Sequence, residues 1–238
     1  MGEILKVDKI NVFIKSSHIL RDVSLEIGEG EVVCLIGRNG AGKTTTLRSV
    51  MGFLRPQTGS IQFQGQEIVG TAPYQIARMG IGYAPEESGI FASLTTFENI
   101  EIATWSTGIT RSPEDRIRLA YSVFPSLERY RNRKGNQISG GERKMLSVAR
   151  ALALDPRLFL MDECFEGLAP AIIPKIAESI HEISKMGHSM LLVESNIYHV
   201  PDFVNRLYVI ERGEIIFSGK PEELKEDKAV LRIVAGTS

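Results

Sequence analysis

One stretch of the sequence has the residue types of a phosphate-binding loop. Residues Gly37 to Thr44 read Gly-Arg-Asn-Gly-Ala-Gly-Lys-Thr and fit the pattern G-x-x-x-x-G-K-[ST]. In this pattern the glycines let backbone N–H groups surround phosphate oxygens, the lysine reaches the β- and γ-phosphates, and the threonine hydroxyl binds Mg²⁺. The alternative is a glycine-rich turn whose lysine is merely solvated. The flanking strand and helix patterns favour a nucleotide-binding loop, formed by Gly37, Arg38, Asn39, Gly40, Ala41, Gly42, Lys43, Thr44 and Thr45.

A second stretch places two carboxylates at the end of an apolar strand. Leu158–Met161 is followed directly by Asp162 and Glu163. Ligands gather at the carboxyl ends of strands in a parallel sheet, so we expect Asp162 to hold Mg²⁺ through its water shell. Glu163 is then the candidate that orients and deprotonates an attacking water. The alternative is a helix N-cap, but the pairing with the phosphate loop favours nucleotide hydrolysis.

The elements that position these residues have the patterns of an α/β protein. Val32–Ile36, directly before the phosphate loop, is apolar throughout, as a strand buried on both faces would be. Gly28 and Gly30 separate it from the strand Val23–Ile27 and predict a hairpin-like turn. A helix is expected over Lys43–Met51. Further strands are expected at Ile4–Val12, Ser60–Gln64, Ile81–Ala84, Leu158–Met161, Met190–Glu194, Leu207–Ile210 and Glu214–Phe217.

Between Leu94 and Leu154 the pattern becomes helical. Turn signals thin out, and helices are expected near Phe97, from Pro113 and from Glu142. Strand–helix alternation resumes afterwards, with a helix over Ile172–Met186 and a helical tail. An α/β core with an inserted helical lobe follows from this order.

The composition is that of an ordinary globular domain. The chain has 238 residues, of which 43% are hydrophobic and 24% charged, and its formal charge is −1. A net-basic nucleic-acid binder is therefore disfavoured. Its two cysteines form no metal cluster or disulfide framework. No apolar run approaches the roughly 20 residues of a membrane span, and the first residues lack a signal-peptide core, so any membrane role is expected to be peripheral.

A third motif connects the first two. Ile138–Glu142 reads Ile-Ser-Gly-Gly-Glu, and with the preceding motifs it resembles the signature LSGGQ of the ATP-binding cassette family. Ser139 and the N–H groups of Gly140 and Gly141, at a helix N-terminus, would form a second anion site. In the family this site closes over ATP held by the other subunit's phosphate loop. The alternative to an anion site is a flexible turn before a helix.

The resemblance covers nearly the whole chain. It implies a P-loop NTPase core of the RecA-like α/β type, with an N-terminal antiparallel β subdomain and an inserted helical subdomain. The expected bounds are 1–90 and 150–238 for the core and about 91–149 for the helical subdomain. Within the family the chain looks like the ATP-binding subunits of branched-chain amino acid importers, because it has Pro85-Glu86, Gly167–Pro170 and Leu192–Glu194.

The resemblance also implies partners. These are ATP, Mg²⁺, integral-membrane permease subunits at the cytoplasmic face of the cell membrane, and indirectly a substrate-binding protein; no nucleic acid is expected. A second cassette is expected too. The accessory positions Glu86, Ser195 and Ile14 are weakened while the Ser139–Gly141 turn is intact, which favours a heterodimer over a homodimer.

Several positions depart from the family pattern. Ser195 stands where most cassettes have a histidine that contacts the γ-phosphate, and Glu86 stands where most have glutamine, although a carboxylate can bind Mg²⁺. Cys164 replaces a proline and is expected to be an inert packing residue rather than a redox-sensitive thiol. The aromatic residue that stacks on adenine aligns with Ile14; neighbouring Phe13 either takes that role or belongs to the core.

Other residues receive a structural interpretation. Trp105 is expected in the core rather than in a partner groove. His18, His181, His188 and His199 match no motif and are expected at the surface or in packing. Two rival functions stay open: a regulatory cassette with weak hydrolysis, and a soluble cassette of translation or DNA repair, which the short length disfavours.

Overall fold

The computed structural model describes residues 2–106 and 110–235. Its strands are β1 (Glu3–Ile14), β2 (Ser17–Gly28), β3 (Val32–Ile36), β4 (Thr58–Phe63), β5 (Gln66–Glu67), β6 (Ile81–Ala84), β7 (Leu158–Asp162), β8 (Ser189–Glu194), β9 (Arg206–Glu211) and β10 (Glu214–Gly219). Its helices are α1 (Lys43–Val50), α2 (Pro73–Met79), α3 (Thr96–Thr104), α4 (Pro113–Val123), α5 (Pro125–Arg129), α6 (Gly140–Leu152), α7 (Ile173–Lys185), α8 (Pro221–Glu226) and α9 (Lys228–Ala235).

The chain divides into two compact units. The terminal unit comprises Met1–Ile76 and Ser189–Ser238, and the central unit comprises Ala77–His188. Of the helices that the structure describes, none combines the length and the apolar character needed to cross a membrane.

The terminal unit contains two groups of strands. Strands β2, β1, β4 and β5 pair in that order in an antiparallel sheet. Strand β3 pairs in parallel with both β8 and β9, and β10 pairs antiparallel with β9. Every residue of β3 is buried, as its continuous apolar sequence predicts, and every residue of β8 is buried too, including Ser189 and Glu194 at its ends.

The hairpin predicted across Gly28 and Gly30 is wrong. Strand β2 pairs with β1, whereas β3 lies between β8 and β9, so the chain passes from one sheet to another at this turn. The reason is visible in the burial of the two strands. Strand β2 alternates between buried and exposed positions. Strand β3 is buried on both faces, so it requires a position inside a sheet whose two faces are both covered.

The central unit packs helices around a parallel strand pair. Strand β6 pairs in parallel with β7, and α6 packs against β6, α3 and α4. Within these helices the guanidinium of Arg116 is buried, and it donates hydrogen bonds to the carbonyls of Thr104 and Ala153. These carbonyls lie at the ends of α3 and α6, so one cation completes two helix C-termini. Burial lowers the pKa of Arg116.

The expectation that Trp105 belongs to the core is wrong. Its side chain is 69% exposed. Helix α3 buries Ile100, Ala103 and Thr104, and Trp105 follows its last residue as the C-cap. The apolar face of the helix has therefore ended before the tryptophan is reached.

Candidate active site

The phosphate loop of the terminal unit connects the buried strand β3 to α1. The N–H of Gly37 donates to the carbonyl of Glu194 at the end of β8, at 3.2 Å. A side chain at Gly37 would collide with the carbonyl oxygen of Ile210. Gly42 has a φ of +114°, a left-handed conformation that favours glycine. The glycines thus let the loop turn tightly over the ends of the strands.

Lys43 begins α1 and is oriented by the loop itself. It is buried, and its Nζ donates to the carbonyl of Arg38 at 3.2 Å. The first turn of α1 contains no acidic residue, and its N-cap Gly42 makes no side-chain capping bond. A helix N-terminus without a side-chain cap or an acidic residue, next to a cation held by the loop, favours an anionic ligand.

The turn between β9 and β10 supports the phosphate loop. The N–H of Gly213 donates to the carbonyl of Ala41 at 2.8 Å, and the carbonyl of Gly213 accepts from Arg21 at the same distance. A side chain at Gly213 would collide with the carbonyl oxygen of Ile19. Sequence reasoning predicted the two strands on either side of this turn, Leu207–Ile210 and Glu214–Phe217, but missed the contact of the turn with the loop.

Ser195 lies beside the phosphate loop. A cavity of about 570 Å³ is lined by Arg38–Ala41, Ser195, Glu211, Arg212 and Val234. Ser195 reaches this cavity because it follows β8, which is the parallel neighbour of β3. The structure therefore brings Ser195 and the phosphate loop together at one cavity, as both were predicted to contact the same nucleotide.

His199 has a more specific environment than the sequence indicated. Its Nδ1 lies 3.5 Å from Oε2 of Glu194, a carboxylate that is 1% exposed. Glu194 directly precedes Ser195, and its carbonyl accepts from Gly37. His199 therefore packs at the base of the phosphate loop, and no motif in the sequence signals that contact.

Phe13 lies in the hairpin of β1 and β2. It is half-buried, and its ring stacks on His18 with centroids 4.1 Å apart and an angle of 7° between the planes. His18 is thus a packing residue, as expected. Ile14 is 42% exposed. The adenine-stacking role of Phe13 stays a prediction.

Two of the three predicted carboxylates of the central unit, Asp162 and Glu163, are buried at the end of β7. Asp162 and Glu163 are 1% and 3% exposed. Oη of Tyr83 donates to Oδ2 of Asp162 at 3.3 Å. Glu163 has a φ of +49°, a left-handed conformation that is uncommon for a residue with a long side chain. A buried carboxylate held by its backbone suits a positioned base.

Glu86 follows the neighbouring strand. Ala84, the last residue of β6, pairs with Met161 in parallel register, so Glu86 follows β6 at the edge where Glu163 follows β7. Sequence reasoning missed a fourth carboxylate, Glu166. A hydrogen bond with Glu163 is the largest cause that raises the pKa of Glu166, followed by burial and the negative charges of Glu163 and Glu86, while Lys144 acts in the opposite direction.

Lys144 is a further residue that the sequence did not single out. Its Nζ donates to the carbonyl of Glu86 at 2.6 Å and to the carbonyl of Glu163 at 2.7 Å. No local motif predicts this pair of contacts, because it depends on how α6 packs against the ends of the two strands.

The Ser139–Gly141 turn forms the start of α6. Ser139 is the N-cap: its Oγ accepts from the N–H of Glu142 at 3.3 Å, and its own N–H donates to Oε2 of Glu142 at 2.7 Å. Gly140 is exposed, and a methyl group there would meet nothing within 4 Å. The fold itself therefore leaves room for a side chain at Gly140.

Comparisons with known proteins agree with this arrangement. A family model described as "ABC transporter" matches residues 20–166. The chain is 33% identical to the lipopolysaccharide export system ATP-binding protein LptB of Acidithiobacillus ferridurans. The alignment covers 99% of this chain and 98% of that protein. It is 38% identical, over 89% of its length and 91% of the relative's, to the high-affinity branched-chain amino acid transport ATP-binding protein BraG of Pseudomonas aeruginosa. Among solved structures, the ADP conformation of MJ1267, an ATP-binding cassette of an ABC transporter, matches with a TM-score of 0.84 and 27% identity, covering 99% of this chain and 100% of that one.

Proposed function

The chain belongs to the ABC transporter family as an ATP-hydrolysing subunit, and from this premise we propose that it powers the import of branched-chain or related amino acids. The observation that carries the import assignment is the pair of segments Pro85-Glu86 and Gly167–Pro170, which resemble those of branched-chain amino acid cassettes. The identity to BraG supports it. The chain would act at the cytoplasmic face of the membrane, on permease subunits served by a substrate-binding protein.

ATP binding in this proposal rests on the phosphate loop. The N–H groups of residues 40–45 would surround the β- and γ-phosphates, and Lys43 would neutralise their charge. Ser195 would donate a hydrogen bond to the γ-phosphate, since it lines the same cavity as Arg38–Ala41. Phe13 would stack on the adenine with the ring face that His18 does not cover.

Hydrolysis in this proposal rests on Glu163. Its carboxylate would accept the proton of the attacking water and orient that water toward the γ-phosphate. Burial supports the role, because a carboxylate that is 3% exposed has few competing orientations and acts in a low-dielectric environment. A regulatory cassette with weak hydrolysis is disfavoured, because Lys43, Asp162 and Glu163 are all present and buried.

The residues present fit a magnesium ion. Thr44, Asp162 and Glu86 offer only hydroxyl and carboxylate oxygens, the donors that this hard cation prefers. Phosphate oxygens of the bound nucleotide would supply further ligands. When bound, Mg²⁺ neutralises charge on the phosphates.

We further propose a heterodimer with a related cassette. The Ser139–Gly141 turn would complete the partner's ATP site, since its exposed residues Ser139 and Gly140 lie at the N-terminus of α6. In the absence of ATP the chain should be mainly monomeric, because facing phosphate sites repel each other until nucleotide bridges them. Mixing the two purified cassettes tests this: activity well above the sum of the separate chains supports it, and additive activity favours a homodimer instead.

Uptake in cells tests the transport assignment. Replacing the chromosomal gene by the Glu163→Gln variant should abolish uptake of radiolabelled leucine, isoleucine and valine. The second candidate, an ATPase of lipopolysaccharide export, is favoured by the LptB relative that spans almost the whole chain. Unchanged amino acid uptake, together with a defective outer membrane in the same strain, would replace the importer by this candidate.

A further inference from the structure

We propose that Lys144 is a positioning residue for ATP hydrolysis. Its ammonium group donates hydrogen bonds to the backbone carbonyls of Glu163 and Glu86. These bonds restrain the main chain at Glu163 and thereby fix the direction of its carboxylate. The inference rests on the proposed role of Glu163 as the general base.

The contacts of Lys144 are short and charge-assisted. Its Nζ lies 2.6 Å from the carbonyl oxygen of Glu86 and 2.7 Å from that of Glu163. Hydrogen bonds with an ionised donor are roughly twice as strong as neutral ones. An ammonium group carries three donors, so it satisfies both carbonyls at once.

The backbone that Lys144 holds is strained. Glu163 has a φ of +49° although it carries a side chain, and such a conformation persists when the surroundings determine it. Its carbonyl is the group that Lys144 binds, so the lysine restrains the peptide unit next to the strained torsions. A rotation there would redirect a carboxylate that must contact a single water molecule.

The second carbonyl extends the restraint to the neighbouring strand. Glu86 follows β6, Glu163 follows β7, and Lys144 belongs to α6. One side chain thus joins three segments at the edge of the sheet that carries the candidate carboxylates. Lys144 also lies five residues after Ser139 on the helix that begins with the signature turn, so that turn and Glu163 are connected through one rigid element.

Arg150, on the same helix, provides a matched comparison. Its Nη1 donates to the carbonyl of Gly89 at 2.8 Å and its Nη2 to that of Ser88 at 3.4 Å. It therefore anchors α6 to the segment after β6, as Lys144 does, but its described hydrogen bonds go to Ser88 and Gly89 rather than to Glu163. Loss of Arg150 should loosen that segment without freeing the carbonyl of the general base.

The experiment measures kcat, ATP affinity and stability of the full-length chain, with its partner cassette if the pair is the active form. Lys144→Met should lower kcat by about tenfold to a hundredfold, as expected when a catalytic group is misplaced by about 1 Å. The ATP dissociation constant, measured by calorimetry, should change less than about threefold. Lys144→Arg, which can also donate to two carbonyls, should recover most of kcat.

Two comparisons separate positioning from a structural role. Arg150→Met should lower the urea midpoint at least as much as Lys144→Met but change kcat less than about threefold. In a Glu163→Gln background, Lys144→Met should cause no further loss of kcat, because the lysine acts through the glutamate. If the methionine variant aggregates, Lys144→Gln provides the same measurements with a smaller expected loss.

Three results would overturn the inference: an unchanged kcat in Lys144→Met, an equal loss of kcat in Arg150→Met, or a loss that adds to that of Glu163→Gln. These results differ from failure of the proposed function. If the wild-type chain does not hydrolyse ATP at all, the assignment of Glu163 fails. If the wild type hydrolyses ATP and Lys144→Met is equally fast, only the role of Lys144 fails.

Discussion

The phosphate loop of the terminal unit and the carboxylate site of the central unit are built in different ways. In the loop, nine consecutive positions, 37–45, are expected to surround the phosphates, and Ser195 from the end of β8 is expected to add one further contact. In the central unit, Glu86, Lys144 and Glu163 come from three separate segments and meet through strand pairing and helix packing. Most of the phosphate-binding site is therefore encoded in one local stretch of sequence, whereas the hydrolytic site depends on tertiary structure.

The largest expected effect separates hydrolysis from binding. Glu163→Gln should lower kcat by about a hundredfold to ten-thousandfold, because a positioned general base is lost while size and shape are kept. Steady-state phosphate release measures the rate. A variant that turns over at the wild-type rate would transfer the role to another carboxylate, with Glu86 as the first candidate.

The complementary change should affect binding. Lys43→Ala removes the fixed cation of the phosphate loop, and ATP affinity should fall roughly tenfold to a hundredfold, since hydrogen bonds to charged groups contribute about 1.5–3 kcal/mol. Calorimetric titration with ATP measures the loss. Lys43→Arg is the control that keeps the charge. Wild-type affinity in the alanine variant contradicts the assignment of the loop.

The helical part of the central unit should depend on its buried cation. Arg116→Met leaves the carbonyls of Thr104 and Ala153 without their donor, so the free energy of unfolding should fall by on the order of 2 kcal/mol. Urea denaturation followed by circular dichroism measures it. Arg118→Met, which removes an exposed arginine of the same helix, is the matched control and should change stability by less than about 0.5 kcal/mol.

Two glycines distinguish positions that the fold requires from a position that nucleotide-dependent pairing requires. Gly213→Ala should destabilise the chain by about 1–2 kcal/mol or more, because Gly213 has a φ of +84° and no room for a methyl group. Gly140→Ala should leave stability nearly unchanged but impair ATP-dependent pairing, since the methyl group would point into open space in the isolated chain. Thermal unfolding and gel filtration with ATP distinguish the two. Equal destabilisation by both substitutions would contradict the contrast.

The smallest expected effect is on pH dependence in the central unit. Burial lowers the pKa of His188 from its ordinary value of 6.5, although the carbonyl of Pro156 opposes this at 2.7 Å from Nδ1. The unfolded chain therefore binds the proton more readily, and the free energy of unfolding falls as the pH drops below about 6.5. Urea midpoints at pH 7.5 and 5.5 should differ less in His188→Gln than in the wild type. If the two urea midpoints differ equally in both proteins, His188 does not cause the loss of stability at low pH.

The elements with a strong local pattern could be predicted from the sequence. Strand β6 has the predicted bounds, and α1 ends one residue earlier than expected. Asp162 and Glu163 lie at a buried strand end because the short apolar run before them forms a strand that is buried along its whole length. Cys164 is buried, in agreement with a packing role.

The remaining features depend on contacts between distant segments. Lys144 and Gly213 act on carbonyls that lie 19 or more positions away in the sequence, which no spacing rule detects. Trp105 was misplaced because its type suggests burial, while the helix that precedes it ends one residue too early. The β2–β3 turn was misinterpreted because two adjacent strands of different burial belong to different sheets.

Nucleotide trapping tests the central claim most directly. The Glu163→Gln variant and the wild type are incubated with Mg²⁺ and ATP labelled at the γ-phosphate, and the label retained on the protein is compared with that released as phosphate. We expect the variant to retain intact ATP while the wild type releases labelled phosphate. Release by the variant at the wild-type rate would contradict the claim that this chain binds ATP through its phosphate loop and hydrolyses it through Glu163.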